Sequence, residues 1–275
     1  MLDIRQTQEY ANYLARIGWV VERKAGVNYF VKRFFFGSVL KVQRPEEIRV
    51  EHIRKVEKKY KVFQTIVEPK TDLEAKHLLA LGFKLSKSPY LPTKTLLLDI
   101  TKSKDSLKKG LKKDARRAIE RGVVKIKEIS SPQEIENFRN AWKRSVNFGR
   151  FVPSTEQLLA LKKTFNKNTP LFLASHNVNA EIIGGTLFTR SSGKISYYWQ
   201  SFVNKEGRST PSSYSLLWHG ILWAKANGCK LLDFEGVFDS RFPNKSWLGF
   251  SHFKKAFGGS PLEYPGAFVK NRLPL

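Results

Sequence analysis

The spacing of apolar and polar residues predicts a chain in which helices and strands alternate from end to end. In the first third, the pattern predicts helices over 7–17, 45–59 and 72–81, and strands over 19–23, 27–36, 38–43, 62–67 and 83–90. Pro45 is predicted to open the second helix, with Glu46 and Glu47 in the first turn, where the helix dipole favours acids. Pro89 and Pro92 then bracket a hinge-like segment, which indicates a domain boundary.

The predicted elements of the remaining chain follow a defined order. Strands are predicted over 95–100, 124–129, 171–175, 182–190, 194–202, 230–235 and 262–270. Helices are predicted over 105–121, after Ser131, after Ser154, over 211–227 and from Trp247. From residue 123 the order is β-α-α-β-β-β-α-β-α-β, which is typical of a GNAT-type acyltransferase domain. The first third carries enough elements to be a smaller copy, so the predicted fold class is α/β and GNAT-like, tandem, with a reduced first domain.

The helix that starts at Trp247 is the most informative one. A stripe at helical spacing is predicted to pack against the core: Trp247, Phe250, Phe253 or Lys254, and Phe257. Lys254, beside Phe253, is expected to leave at the edge of this apolar face, where a cleft could form. An ordinary amphipathic helix, whose last-turn lysines complement the dipole, explains the same pattern without any chemistry.

Positive charge dominates the composition. The chain has 49 Lys and Arg against 24 Asp and Glu, a formal net charge of +25, which attracts polyanions such as nucleic acid or an anionic lipid surface. The charge concentrates on the 105–121 helix, in a set that we call the cationic face: Lys108, Lys109, Lys112, Lys113, Arg116 and Arg117. A merely solvated helix face in a lysine-rich protein is the alternative.

Several classes of site are disfavoured. The single cysteine, Cys229, excludes an intramolecular disulfide and fits a reducing compartment. The five histidines lack ligand spacing, and P-loop and dinucleotide fingerprints are absent, so neither a metal nor another cofactor is expected. The sequence shows no signal-peptide pattern and no apolar run of roughly 18–20 residues. A cytoplasmic protein is expected, which leaves peripheral contact with an anionic membrane open.

The loop over 204–213 argues against acetyl-CoA as the acyl donor. A GNAT-type enzyme holds the CoA pyrophosphate with backbone N–H groups of a glycine-rich loop that opens the next helix. This loop has a single glycine, Gly207, and Pro211 lacks the N–H that such a cradle requires. Aminoacyl-tRNA, a polyanion that carries its amino acid as an activated ester, suits the cationic surface instead.

Several segments together resemble the Fem family, the non-ribosomal aminoacyltransferases that build peptidoglycan interpeptide bridges. The resemblance extends from about Val62 to the end of the chain. The closing run Gly249-Phe-Ser-His-Phe-Lys-Lys-Ala-Phe-Gly-Gly-Ser-Pro-Leu-Glu-Tyr-Pro-Gly266 is similar to the closing motif of that family. The other matching segments are 90–101, 111–119, 197–201, 217–228 and 232–237, in the family's order and spacing.

The resemblance implies two GNAT-like domains, over 1–94 and 95–260, with the segment 261–275 returning to complete the first. It implies transfer of an amino acid from aminoacyl-tRNA to an amine on the stem peptide of a peptidoglycan precursor, which is lipid II or a UDP-linked muropeptide. A monomer is expected. The chain is short for the family and lacks the helical arm that is inserted in some members.

The resemblance also assigns residues to roles. Lys254 is expected to stabilise the oxyanion of the tetrahedral intermediate, with Phe253 packing beneath it, and Lys255 is the nearest rival. The terminal adenosine's hydroxyl or phosphate is expected to help move protons, since no acid–base pair is evident. Arg150 is expected to bind precursor phosphates, although most surface-loop arginines have no such role.

Tyr198 and Tyr214 stand where tyrosines line the substrate groove in the family, and core packing is the alternative for each. One departure concerns the family's Asp-Phe-Gly-Gly pattern, which reads Asp233-Phe-Glu-Gly236 here. Glu235 therefore puts the close backbone approach at that point in doubt. Two other functions remain open: an N-acyltransferase using CoA or acyl carrier protein, and a non-enzymatic tRNA- or nucleic-acid-binding module.

Overall fold

The computed structural model describes residues 2–122, 124–147, 149–165 and 170–272. The chain divides into two compact units. Unit 1 comprises residues 1–94, 239–244 and 262–275, and unit 2 comprises residues 95–238 and 245–261. The outermost parts of the predicted first domain, residue 1 and residues 273–275, lie outside the described residues.

Unit 1 is built on a six-stranded sheet with the order β1-β2-β3-β4-β13-β5. Its strands are β1 (Val20–Lys24), β2 (Val27–Phe34), β3 (Gly37–Gln43), β4 (Val62–Glu68), β5 (Lys84–Leu85) and β13 (Phe268–Asn271). Its helices are α1 (Gln8–Arg16), α2 (Val50–Lys59) and α3 (Asp72–Ala80), after a short 3-10 helix over Ile4–Gln6. The C-terminal strand β13 pairs antiparallel with β4, with Phe268 opposite Val67, so the chain end is an integral part of this sheet.

Three predicted elements of unit 1 are wrong in detail. Pro45 does not open a helix: Arg44 before it takes a left-handed φ of +47° and its N–H donates to the Glu68 carbonyl at 2.7 Å, so α2 begins at Val50. The predicted strand 83–90 is only the two residues of β5. The predicted strand 262–270 is two strands in different sheets, because Gly266 turns the chain between them at a φ of +112°.

Unit 2 is built on a seven-stranded sheet with the order β12-β6-β11-β10-β9-β8-β7. Its strands are β6 (Lys94–Asp99), β7 (Lys125–Ile129), β8 (Leu171–His176), β9 (Ile182–Arg190), β10 (Ile195–Val203), β11 (Leu231–Asp233) and β12 (Ser260–Glu263). Its helices are α4 (Lys104–Lys109), α5 (Lys113–Arg121), α6 (Pro132–Ser145), α7 (Thr155–Phe165), α8 (Lys205–Ser209), α9 (Ser212–Ala226) and α10 (Leu248–Lys255). The largely buried helix α9 packs on the sheet through Leu216, Leu217 and Ile221.

The predicted helix over 105–121 is two helices, because the chain breaks between Gly110 and Lys112. Gly110 caps the C-terminus of α4, and the Lys112 N–H donates to the carbonyl of Ala256 at 2.9 Å instead of continuing the helical ladder. The apolar positions are still buried as predicted, since Leu107, Leu111 and Ala115 all belong to the core of unit 2. The break matters for the site because it ties this basic segment to the C-terminal end of α10.

Candidate active site

Two parallel strands in the middle of the unit 2 sheet pair briefly and then separate. β10 and β11 are paired only from Ile195 and Leu231 to Tyr197 and Asp233. β11 ends there, whereas β10 continues to Val203 alongside β9, with a register shift just after Tyr198. Since the backbones no longer bond to each other beyond this point, the sheet opens between Tyr198 and the segment that follows Asp233.

The side chain of Lys254 lies in this opening. Lys254 is on α10 and is 8% exposed. Its Nζ donates a hydrogen bond to the Gly236 carbonyl oxygen at 2.6 Å and lies 5.6 Å from the ring centroid of Tyr198. The ammonium group is therefore held between the two segments that diverge, with one of its three donors used by a backbone carbonyl.

Burial shifts the titration of Lys254. Loss of water around the side chain lowers its pKa from 10.5 to about 8, while the carboxylates of Glu235 and Asp233 oppose the shift. The group is thus mostly protonated at pH 7 but gives up its proton far more readily than an exposed lysine. A cation with these properties can donate a strong hydrogen bond to a developing negative charge.

A network of short hydrogen bonds holds the carbonyl that positions Lys254. The buried carboxylate of Asp233 accepts from Thr95 Oγ1 at 2.5 Å and from the Glu235 N–H at 2.8 Å. The Gly236 N–H donates to Thr95 Oγ1 at 3.3 Å. Glu235 takes the left-handed conformation that glycine would favour, with φ +54°, so the departure from the family pattern does not prevent the turn.

The helix α10 buries only part of the predicted aromatic stripe, since Phe257 is buried and Phe253 packs against the core but Trp247 is only half-buried. Phe250 is 44% exposed, whereas Ser251 and Lys254 are buried. Ser251 Oγ accepts the Phe238 N–H at 2.5 Å and donates to the Trp247 carbonyl at 2.8 Å, which fixes the rotation of the helix. The expectation that Lys254 leaves at the edge of the apolar face is therefore wrong: Lys254 belongs to the buried face.

A cavity of about 390 Å³ adjoins the opening, within unit 2. Four of the predicted site residues line it: Arg150, Tyr198, Tyr214 and Phe253. Further polar groups on the wall, which sequence reasoning did not single out, are Ser201, Arg208, Thr210 and Ser213. Lys254 is not a lining residue, but both Tyr198, over which its Nζ lies, and its neighbour Phe253 are.

Aromatic rings form one wall of the cavity. The rings of Tyr214 and Phe253 meet edge to face with centroids 5.0 Å apart, and Tyr214 stacks on Phe257 at 5.9 Å. Phe253 thus packs on α9 through Tyr214. Burial raises the pKa of the Tyr214 hydroxyl, and the carboxylate of Asp114 adds to the rise, so this group stays a neutral donor at physiological pH.

Tyr198 contributes its ring more than its hydroxyl. Burial raises the pKa of Tyr198 to about 12, although the side chains of Ser201 and Thr186 act in the opposite direction. The ring face is what Lys254 meets. The structure thus places Tyr198 as a wall beside the ammonium group, in a position compatible with both core packing and substrate contact.

Arg150 lies at the exposed side of the cavity. Its guanidinium is 5.9 Å from the ring centroid of Phe250, which is itself a lining residue. Arg208 lines the same cavity but donates to the Val203 carbonyl at 3.1 Å. Arg150 is therefore placed to meet the anionic part of a ligand that enters from solvent.

The loop that would hold a CoA pyrophosphate is filled by the short helix α8, which the sequence pattern did not predict. The Gly207 N–H donates to the Asn204 side chain at 2.7 Å. The N–H groups of Arg208 and Thr210 are used inside this short helix, and Pro211 has none. Five residues are too few to show an apolar period, which is why the element escaped notice.

The cationic face is partly engaged within the protein. Lys108 forms an ion pair with Glu120 at 3.0 Å, and Arg116 donates to the carbonyls of Lys109 and Leu111. Four members are exposed and carry no side-chain bond to the described part of the chain: Lys109, Lys112, Lys113 and Arg117.

Neither a metal site nor a membrane-spanning helix is found among the described residues. They contain no group of three or more His, Cys, Asp or Glu side chains arranged to hold a metal ion. Among the same residues, none of the helices has the length and apolar character needed to cross a lipid bilayer. The candidate site is thus defined by one buried cation, an aromatic wall and an arginine at the exposed side.

Comparison with solved structures identifies the fold. FemX superposes with a TM-score of 0.77 at 14% identity, over 98% of this chain and 92% of that chain. The C-terminal domain of a protein assigned as a lysylphosphatidylglycerol synthetase in Agrobacterium fabrum gives 0.65 at 11%, over 98% and 89%. A tandem GNAT protein from the clavulanic acid biosynthesis pathway gives 0.58 at 11%, over 92% and 83%. No protein-family model and no curated protein matches the sequence.

At these identities the likeness establishes the fold. The chain has a tandem GNAT-like α/β fold, as predicted from the order of its elements. The resemblance to the Fem family that the motifs indicated is confirmed as a likeness of fold to FemX. The roles of individual residues stay predictions, which the geometry described above makes specific.

Proposed function

We propose that this protein transfers an amino acid from aminoacyl-tRNA to an amine on the stem peptide of a peptidoglycan precursor. The observation that carries the proposal is the position of Lys254, buried in the opening between β10 and β11 with its Nζ donating to the Gly236 carbonyl at 2.6 Å. The cavity beside it has room for the ends of two substrates, with a volume of about 390 Å³. The fold it shares with FemX supports the same class of reaction.

The transfer reaction needs a cation beside the carbonyl oxygen of the ester, where negative charge develops. The acceptor amine attacks the ester carbonyl carbon, a C–N bond forms, and the carbonyl π electrons move to oxygen. The tetrahedral intermediate then collapses, the bond to the ribose oxygen of the terminal adenosine breaks, and the amine proton ends on that oxygen. Lys254 has donors left for the oxyanion, and a fixed charge in a water-poor site stabilises the transition state more than the substrate.

Aminoacyl-tRNA fits the site better than acetyl-CoA. The segment that would cradle a pyrophosphate spends the N–H groups of Gly207, Arg208 and Thr210 internally and contains Pro211. The four exposed members of the cationic face offer a surface for a nucleic-acid backbone instead. Both substrates are made in the cytoplasm, so the proposal places the protein there as well.

Arg150 is assigned to the acceptor. Its guanidinium lies at the exposed side of the cavity and matches the two-oxygen geometry of a phosphate group. Lipid II and a UDP-linked muropeptide both carry a diphosphate next to the sugar, so this contact suits either acceptor. Tyr198 and Tyr214 provide the walls along which the stem peptide would lie.

The test is a transfer reaction with defined products. The protein is incubated with labelled charged tRNAs and a muropeptide precursor, and the product mass is measured. The proposal expects a mass gain of one or more amino-acid residues that depends on charged tRNA. Acylation from acetyl-CoA or acyl carrier protein, with nothing transferred from any charged tRNA, would establish the N-acyltransferase in its place.

A further inference from the structure

The tip of the β2–β3 hairpin in unit 1 exposes three consecutive phenylalanines. Phe35 and Phe36 form the two-residue turn, and Phe34 ends β2. The exposed fractions are 50% for Phe34, 107% for Phe35 and 65% for Phe36. Turn positions are ordinarily filled by Gly, Asn, Asp or Pro for conformational reasons, so three aromatic rings here have no role in forming the turn.

The rings are arranged as a small ridge. Phe34 and Phe36 stack with centroids 6.4 Å apart, and both meet Phe63 of β4, at 6.2 and 5.1 Å. Phe35 extends beyond them into solvent. A contiguous exposed apolar surface of this kind is typical of a site that binds a partner or a membrane.

Basic residues lie at the same end of the sheet as the ridge, with the Arg33 guanidinium 5.3 Å from the ring centroid of Tyr60. Arg33 precedes the ridge on β2, and Lys61 lies against the turn, where its carbonyl accepts the Ser38 N–H at 3.1 Å. Lys58 lies in the last turn of α2, three residues before Lys61. These three side chains are exposed and have no carboxylate partner among the described residues. The nearby acid Glu57 is buried and already bonded to Arg272.

We propose that this hairpin tip inserts into an anionic lipid bilayer. Aromatic rings that protrude beside Lys and Arg side chains match the two layers of such a surface, because the rings enter the acyl boundary while the cations meet the headgroups. The ridge presents roughly 400 Å² of aromatic surface, taking about 200 Å² for a fully exposed ring residue. A stable protein partner needs about 800 Å² on each side, so the area of the ridge is too small for a protein interface.

The inference stands apart from the transfer reaction. Vesicle binding needs neither tRNA nor acceptor, so it is measured whether or not amino-acid transfer occurs. If both hold, membrane docking favours the lipid-linked acceptor over the nucleotide-linked one. If no transfer occurs, binding through the tip still stands by itself.

The test is flotation of the full chain with vesicles, comparing equal parts of phosphatidylglycerol and phosphatidylcholine with phosphatidylcholine alone. The variant Phe35→Ser/Phe36→Ser is expected to lose about tenfold or more in partitioning onto the anionic vesicles. The matched control Leu73→Ser/Val178→Ser removes two apolar side chains that are 78% and 99% exposed elsewhere, and is expected to bind like wild type. Arg33→Gln/Lys61→Gln is expected to lose about fivefold per charge on anionic vesicles alone.

Three results would overturn the inference. The first is wild-type protein that stays in the unbound fraction with anionic vesicles, because insertion of the tip predicts binding. The second is a tip variant that floats as well as wild type while its circular dichroism and melting temperature are unchanged. Concentration-dependent self-association that disappears in the tip variant would identify a second copy of the chain as the occupant.

Discussion

The Gly236 carbonyl oxygen accepts a hydrogen bond from the buried ammonium group of Lys254 at 2.6 Å. A neutral acceptor fixes the position of the cation without cancelling its charge, unlike a carboxylate partner. Because burial has removed water from around the side chain, the charge is costly to keep, which is why its pKa falls to about 8. A cation held in this way is available to an oxyanion that forms beside it.

The rate of transfer, relative to that of a variant with a permanent cation at position 254, should fall as the pH rises through about 8. The protonated fraction of Lys254 decreases above its pKa of about 8, and with it the donor for the oxyanion. If neutral Lys254 were instead a general base, the rate would rise over the same range. The measurement is kcat/KM between pH 6 and 10.

The control for this profile is Lys254→Arg. Arginine stays protonated over the whole range, so the alkaline decline should disappear in whatever activity the variant keeps. The acceptor amine titrates identically in both proteins, which separates its effect from that of Lys254. An identical alkaline decline in the two proteins would assign it to another group.

Replacing Glu235 with Gln should move the alkaline decline to lower pH. The Glu235 carboxylate favours the protonated form of Lys254, so its removal lowers the pKa of Lys254 further. The turn itself should persist, because the Glu235 N–H still donates to Asp233. A pH profile that does not move would show that Glu235 has no electrostatic influence on the rate.

Arg150→Ala should raise KM for a phosphate-bearing acceptor about tenfold with little change in kcat, since a hydrogen bond to a charged group contributes about 1.5–3 kcal/mol. The matched control is Arg144→Ala, whose side chain lines a neighbouring polar cavity and not the one that Arg150 lines. An acceptor peptide without phosphates should be used equally by wild type and Arg150→Ala. Equal losses with both acceptors would mean that Arg150 acts through structure rather than phosphate binding.

Binding of tRNA should depend on the exposed members of the cationic face. Changing all four to Gln should reduce the slope of log affinity against log salt by about three, because each phosphate contact contributes about 0.7–0.9. The control variant changes four exposed lysines elsewhere to Gln, so that its net charge equals that of the test variant. These lysines are Lys76, Lys87, Lys125 and Lys143. Equal slopes for the two variants would mean that the net charge of the protein, and not the cationic face, determines the salt dependence of tRNA binding.

Local signals were sufficient for much of the fold. The capping box at Ser131 starts α6 as predicted, and β9 occupies the predicted residues 182–190. Errors arose where distant contacts decide the outcome. The 105–121 helix breaks because Lys112 bonds to Ala256, far along the chain, and the final segment divides because two sheets each take part of it.

The sequence predicted which residues form the candidate site but not how their side chains are oriented. Residues nominated by family resemblance, among them Arg150 and Tyr214, line one cavity. The helical period of the Trp247 stripe placed Lys254 at the edge of the core, yet Ser251 rotates the helix so that Lys254 is buried on Gly236. A sequence period gives spacing along a helix, whereas its rotation is set by bonds to other segments.

The most direct test of the central claim is single-turnover transfer from charged tRNA, measured for wild type, Lys254→Met and Lys255→Met with tRNA affinity determined in parallel. Lys254→Met should lower the rate about 10²–10³-fold, the usual effect of removing an oxyanion donor, with tRNA affinity unchanged. Lys255 is exposed, so its variant should react like wild type. A Lys254→Met protein that transfers the amino acid at the wild-type rate would contradict the assignment.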